Sequence, residues 1–323
     1  MRPLHVVPAL ALVVLPAVAA AEPADVFTGA YAYAFSDIDL QAGTFHFDGY
    51  IWFRWRCDLL GEADFDFVLV NGAVDSVDAA PVNKSAGWCR QSRRLRATMR
   101  AGYELHDYPF DQQLLTLRLE HRWYGTDRMR FVPDDGAIPA GAGPREAFLP
   151  RDVDINQWHI LDVAHHAEPY HYETDFGSIE KGVWDGLSSR YTFAVRISRP
   201  FFPYILKVVM PLMIIVGMAF LAFAIRPGRF DSKVSLLVTA LLSTVALHLT
   251  QASALPEVGY LVRADVFFLI SYAALGASLL IVTVEHRRSE PVEPDAPVRR
   301  AFIYARTAVI AAFFLSVALV VLT

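Results

Sequence analysis

Only two cysteines, Cys57 and Cys89, occur in 323 residues, too few for the network of bridges that holds a disulfide scaffold together. Charged residues are sparse at 20%, and a hydrophobic share of 54% excludes a disordered chain. A basic face is missing too. Residues 22–198 hold 17 Lys and Arg against 27 Asp and Glu, a net charge of −10, which excludes the cationic footprint that nucleic acid requires. The same stretch has no sustained helical apolar periodicity and no catalytic constellation. It also lacks H-x-x-x-H or paired-cysteine spacing for zinc and a twelve-residue calcium loop. His165, His166 and His171 therefore read as solvated loop residues, and Asp64/Asp66 and Asp152/Asp154 as solvated acidic pairs. No enzyme and no cofactor are expected; calcium modulation is the metal effect that so acidic a region leaves open.

What the chain has instead is long apolar runs, and they are confined to its two ends. Mean hydropathy is +0.32, above that of an ordinary soluble enzyme. Arg2, an apolar run over residues 4–18 and the small residues Ala17, Ala19 and Ala21 predict a secretory signal over residues 1–21. Residues 201–225, 234–255, 261–284 and 301–322 are each long enough to span a bilayer. The link carrying Arg226, Arg229 and Lys233 and the linker 285–300, with Arg287, Arg288, Arg299 and Arg300, hold most of the positive charge. Positive residues stay in the cytoplasm. The expected topology is an exported domain over 22–198, a membrane domain over 199–323, and both the amino-terminal domain and the carboxy terminus outside.

The exported domain reads as β-structure. Residues 44–55, 64–70, 95–105, 114–119 and 191–197 are short, rich in aromatic and β-branched residues, and several alternate apolar with polar. Turn clusters such as Asn71-Gly72 and Asp134-Asp135-Gly136 separate such segments, and the expectation is an all-β, immunoglobulin-like sandwich. An oxidising compartment permits a Cys57–Cys89 bridge without implying one.

Within this sandwich the stretch Tyr108-Pro109-Phe110-Asp111-Gln112-Gln113 resembles the F/Y-P-F-D-x-Q signature of pentameric ligand-gated ion channels, the Cys-loop receptor superfamily. Tyr191-x-Phe193 running into Arg196-Ile197-Ser198-Arg199-Pro200, a first membrane segment containing Pro211, and Leu255-Pro256 followed by Tyr260 are similar to that family's domain junction. The resemblance covers the whole chain and implies five subunits around a central pore. Where animal members carry the two loop cysteines this chain has Ala101 and Leu115, its third linker is a stub, and no W-x-P motif follows the second strand. The first two departures resemble bacterial members and imply the bacterial inner membrane.

Steps of four and three along the second membrane segment give Ser235, Thr239, Leu242, Ala246, Leu249 and Ser253, one stripe at helical spacing. Five such stripes around an axis would line a pore with hydroxyls that replace hydration water and with leucines, Leu242 and Leu249, that gate by dewetting. Hydroxyls in membrane helices also back-bond within the helix or bridge to a neighbour. Asp231, one turn before Ser235, would form a ring of negative charge selecting cations. Lys233, on helical geometry, points elsewhere.

The resemblance implies an agonist site between neighbouring sandwiches. Candidates are Trp52 and Trp55, with alternation favouring Trp55, then Trp123 and Tyr124, and Tyr172, Phe176 and Trp184; aromatic walls suit a cationic amine. Protons are a rival agonist, titrating His46, His106, His121, His159, His165, His166, His171 or His248. Coupling to the membrane falls to Asp39, Tyr108, Pro109, Phe110, Asp111, Arg196, Arg199, Pro256 and Tyr260, with Arg199 paired to Asp111 or Asp39 at its core. The expected partners are four further copies of the chain, membrane lipid, an agonist or protons, and permeant cations. The competing reading is a membrane-anchored solute sensor without conduction.

Overall fold

The structure, a computed structural model, describes residues 22–61, 66–137, 143–150, 153, 155, 158–174, 176, 186–226, 228–289 and 296–322. The signal segment, Trp184, Asp64, Asp152 and Asp154 lie outside the described residues.

Among the described residues, ten strands form the amino-terminal part. In chain order they are β1 (Ala24–Asp39), β2 (Thr44–Arg56), β3 (Phe67–Leu69), β4 (Gly72–Ala79), β5 (Asn83–Ser85), β6 (Trp88–Arg100), β7 (Gln112–His121), β8 (Met129–Pro133), β9 (His159–His171) and β10 (Leu187–Ser198). One sheet runs β4-β6-β2-β1-β8 with β5 on β6; the other runs β3-β7-β10-β9. A short helix, α1 (Pro144–Phe148), lies between β8 and β9.

The core is built by alternation. From β2, Phe45, Phe47, Ile51, Phe53 and Trp55 point inward, and from the other sheet Leu115, Leu117, Leu119, Tyr191, Phe193, Val195 and Ile197 meet them; all are buried. Burying a large apolar side chain contributes about 1.5–3 kcal/mol, so this interlayer supplies the sandwich with its stability. β9 is the edge of its sheet and mostly exposed, and its polar, histidine-rich sequence hides it from a search for alternation. Residues 101–105, grouped with a strand by their composition, leave the sheet after Arg100. Cys57 and Cys89 are bonded to each other, joining the end of β2 to the start of β6.

Four helices follow: α2 (Phe202–Phe223), α3 (Phe230–Ala252), α4 (Arg263–Ser289) and α5 (Ala296–Leu322). Each is long and apolar enough to cross a membrane. In α2 the residues Ile205–Val209 take a wide π turn just before Pro211, which has no N–H to give to the helix ladder. α3 starts at Phe230 rather than at residue 234, so that Asp231 belongs to its first turn. There the carboxylate complements the positive end of the helix dipole.

Candidate functional site

Two helices are loosely held by the bundle. Within the most apolar window of each, α3 is 17% and α5 11% buried, against 39% for both α2 and α4. Their free faces differ in chemistry. α5 has a mean hydropathy of 2.3 and shows Leu315, Leu319 and Leu322 outward, a surface suited to lipid. α3, at 1.6, packs Lys233, Leu237, Ala240 and Thr244 against the bundle and exposes Ser235, Thr239, Leu242, Ala246, Leu249 and Ser253 on its opposite side. Leu242 and Leu249 are 64% and 66% exposed.

At 3.6 residues per turn Asp231 falls on this free face and is itself exposed. Thr239 donates its hydroxyl to the Ser235 carbonyl at 2.8 Å, and Ser253 to the Thr250 carbonyl at 2.8 Å. Such back-bonding uses the hydroxyl hydrogen and leaves the oxygen lone pairs able to accept. Lys233 turns into the bundle, where its ammonium lies 3.7 Å from Glu285, which Arg306 of α5 also engages. Lys233 therefore does not share the face of Asp231. His248 is off the stripe as well: it hydrogen-bonds Tyr272 at 3.1 Å, approaches Asp265 at 3.4 Å and stacks on Phe268.

At the junction, the Tyr108-Pro109-Phe110-Asp111 turn is driven into the top of the bundle. Tyr108 and Leu105 are buried with Tyr204, Val208, Leu212, Val262 and Phe267, and Phe110 meets Phe201 at 5.7 Å. The Tyr108–Pro109 peptide is cis. The first amides of α4, which have no partner within the helix, are taken by carbonyls of the sandwich: Arg263 N–H donates to His106 at 2.8 Å and Ala264 N–H to Tyr108 at 2.9 Å. Tyr260, in the α3–α4 connection with Pro256, accepts the Leu105 N–H at 3.2 Å. Gln41 of the β1–β2 hairpin donates to the Ser253 carbonyl at the end of α3.

Beneath the turn lies a buried ion pair. Arg199 Nε donates to Asp111 Oδ1 at 3.0 Å, with the Asp111 side chain only 1% exposed, and the Gln113 amide donates to Asp111 Oδ2 at 2.6 Å. The guanidinium stacks over Trp158 at 4.3 Å and Tyr108 at 5.0 Å. Two expected members stand apart from this network. Asp39 is spent on its own hairpin, accepting the Gln41 and Ala42 amides. Arg196 is exposed on β10, opposite Asp162, because strand alternation turns it away from the core that Val195 and Ile197 face.

The aromatic candidates divide. Trp55 is fully buried in the sandwich core, donating its indole N–H to the Leu60 carbonyl, so it cannot line an intersubunit pocket. The outward tryptophan of β2 is Trp52, whose indole lies over Gly29, where any Cβ would collide with the ring, and donates to Asp134 at 3.0 Å. With Arg54, Arg90, Asp134 and Gly136 it lines a cleft of about 540 Å³. At the edge of the other sheet, Tyr172 contacts Phe176 at 5.1 Å and Tyr170 at 4.8 Å. Trp123 is 75% exposed and Tyr124 stacks on His121; their loop is tied to the start of β10 by Thr126 N–H donating to Leu187.

Sequence reasoning missed the polar floor under these rings. Glu120 and Arg190 form a buried pair at 2.7 Å, and the Tyr172 hydroxyl donates to Glu120 at 2.9 Å while accepting from Arg190 at 3.1 Å. Burial, helped by Glu120, pushes the Tyr172 hydroxyl above its ordinary range. His165 is not a solvated loop residue but a β9 side chain 6% exposed, clasped between Tyr191 at 3.0 Å and Asp135 at 2.9 Å.

No family model matches the chain. Curated relatives do. It is 24% identical over 285 residues, 82% of this chain and 74% of the relative, to the proton-gated ion channel of Gloeobacter violaceus. It is 22% identical over 205 residues, 62% of this chain and 32% of the relative, to pH-sensitive chloride channel 2 of Anopheles gambiae. Identity to the gamma-aminobutyric acid receptor subunit beta of Lymnaea stagnalis is 23% over 189 residues, 58% of this chain and 34% of the relative. These relatives are all members of the pentameric ligand-gated ion channel superfamily, and it is to that superfamily that the chain is similar. Members of this superfamily are channels, not enzymes, and a sandwich followed by four apolar helices is the architecture observed here. In this chain the turn is held by the burial of Tyr108 in the junction cluster and by the ion pair of Asp111 with Arg199.

Proposed function

We propose that five copies of the chain assemble around the free face of α3 to form a passive, ligand- or proton-gated, cation-preferring channel. The observation that carries this reading is the chemistry of that face: α3 leaves the hydroxyl residues Ser235, Thr239 and Ser253 unburied along with Leu242 and Leu249, on a helix less apolar than α5, which is also loosely held. Ser235 and Thr239 would replace part of an ion's hydration, and Leu242 and Leu249 would close the path by excluding water. The cation preference is supported by exposed Asp231 at the mouth and by the burial of Lys233 beside Glu285. Basic residues at 226, 229, 287 and 288 support a cytoplasmic position for that mouth, with the sandwich outside, and the membrane we propose is the bacterial inner membrane. An agonist would sit between neighbouring sandwiches, the rings of Tyr172, Phe176 and Trp123 from one subunit facing the Trp52 cleft of the next. Electrostatic attraction for cations over the acidic outer domain supports the same preference.

The test is current through purified protein in planar bilayers under a sodium chloride gradient, with pH steps. The expected current reverses near the sodium equilibrium potential, and Asp231→Asn moves the reversal toward zero by several-fold loss of cation over chloride permeability. Reversal near the chloride potential in the unaltered protein would contradict the cation preference. Silence under every agonist and pH would favour the solute sensor.

A further inference from the structure

Four titratable or charged groups converge where the sandwich meets the α3–α4 connection: Glu104 and Asp107 from the sandwich, Tyr260 and Arg263 from the membrane side, all around His106. The imidazole lies flat on the Tyr260 ring, centroids 3.7 Å apart and planes 6° from parallel. Its Nδ1 hydrogen-bonds Glu104, and the Tyr260 hydroxyl reaches the same carboxylate at 3.4 Å. Asp107 is engaged by Arg263 at 2.7 Å, which leaves Glu104 as the carboxylate against the ring. Imidazole and carboxylate are 58% and 71% exposed, so solvent protons reach both.

This group is wired to the ion pair below it. Gln113 accepts the Glu104 N–H at 3.0 Å and donates to the Glu104 carbonyl at 2.7 Å, and the same amide donates to Asp111, the partner of Arg199. The His106 carbonyl meanwhile holds the first amide of α4.

We propose that His106 is a proton-sensing residue of the domain junction: its protonation turns the hydrogen bond to Glu104 into an ion pair and the stack on Tyr260 into a cation–aromatic contact. Both changes tighten the hold of the sandwich on the connection that ends α3. The Glu104 carboxyl is held below its ordinary range, chiefly by the hydrogen bond from His106. The sign follows. A depressed carboxyl stays charged until the pH falls through its lowered range, while an imidazole loses its charge as the pH rises through 5 to 8. The ion pair therefore exists only while the imidazole is protonated and is lost when that proton leaves. The inference rests on the channel reading above and adds to it the residue through which pH acts.

The experiment is the bilayer recording with pH steps from about 8 to about 4.5, on the full chain, comparing the unaltered protein with His106→Phe, His106→Gln and Glu104→Gln. His106→Phe keeps a flat ring on Tyr260 and removes both the titration and the hydrogen bond to Glu104, whereas His106→Gln removes the titration and keeps a hydrogen-bonding side chain. The expected result is that the pH-dependent part of the opening equilibrium falls at least about five-fold in each variant, the lower end of typical coupling between sites. Should His106→Phe and Glu104→Gln keep the unaltered pH response, His106 is a structural stack and the proposal is overturned. A channel that opens to a ligand but ignores pH also overturns it while leaving the channel reading intact. Absence of any current in the unaltered protein removes both.

Discussion

Replacing Arg199 with alanine is expected to lower folding stability by about 3–5 kcal/mol, the penalty for leaving one partner of a buried ion pair without the other. Asp111 would keep only the Gln113 amide, in a side-chain environment 1% exposed. The loss has a second component, because the guanidinium also covers Trp158 and Tyr108. Arg199→Lys restores the charge without the planar stack and should fall in between. The double substitution Arg199→Met with Asp111→Asn should recover part of the loss, since no buried charge is then left alone. Thermal unfolding of the purified protein and the fraction eluting as an assembled oligomer read this cycle. A single Arg199→Ala variant as stable as the unaltered protein would mean that the pair is replaceable by water.

The other large effect is expected at Leu242. Truncation to alanine removes three carbons from each copy, about 0.8 kcal/mol of apolar surface apiece, and in five copies the loss falls on one ring. Each 1.4 kcal/mol is tenfold in an equilibrium, so resting open probability should rise by more than about ten-fold, seen as a standing leak without agonist. Leu237→Ala on the buried side of the same helix should instead weaken packing and leave no leak. Equal leaks from both positions would mean that α3 is merely loosened.

These effects can be placed on residues because parts of the molecule are written in short range. The four spans need only composition and length. The turn 108–111 is a contiguous motif, and Arg199 stands at the end of the last strand, so the junction could be named before its partners were seen. Other features depend on pairing over long separations. Trp52 and Trp55 both sit among aromatics, Tyr50 and Phe53, so alternation alone does not say which face is inward; the sheet β6-β2-β1 decides it. Glu120 and Arg190 become partners through the β7–β10 register, which neither strand encodes by itself. His165 looked solvated because its strand is a polar edge, yet β9 turns it under α1 against Phe148. Asp39 and Arg199 are opposite charges at one end of the domain, but the hairpin amides claim Asp39 first.

The central claim is that the free face of α3 borders water in the assembled protein. Cys57 and Cys89 are bonded to each other and the sequence has no other cysteine, so a single introduced cysteine is the sole reactive thiol. Cysteines at 239, 242, 246 and 249, and at 237, 240 and 244 as the opposite face, should be exposed to a charged methanethiosulfonate reagent while current is recorded. The account predicts that the first set is modified with a change in current of most of its amplitude and the second set is not. Modification of the second set, or none at 239 to 249 in a conducting protein, would contradict it.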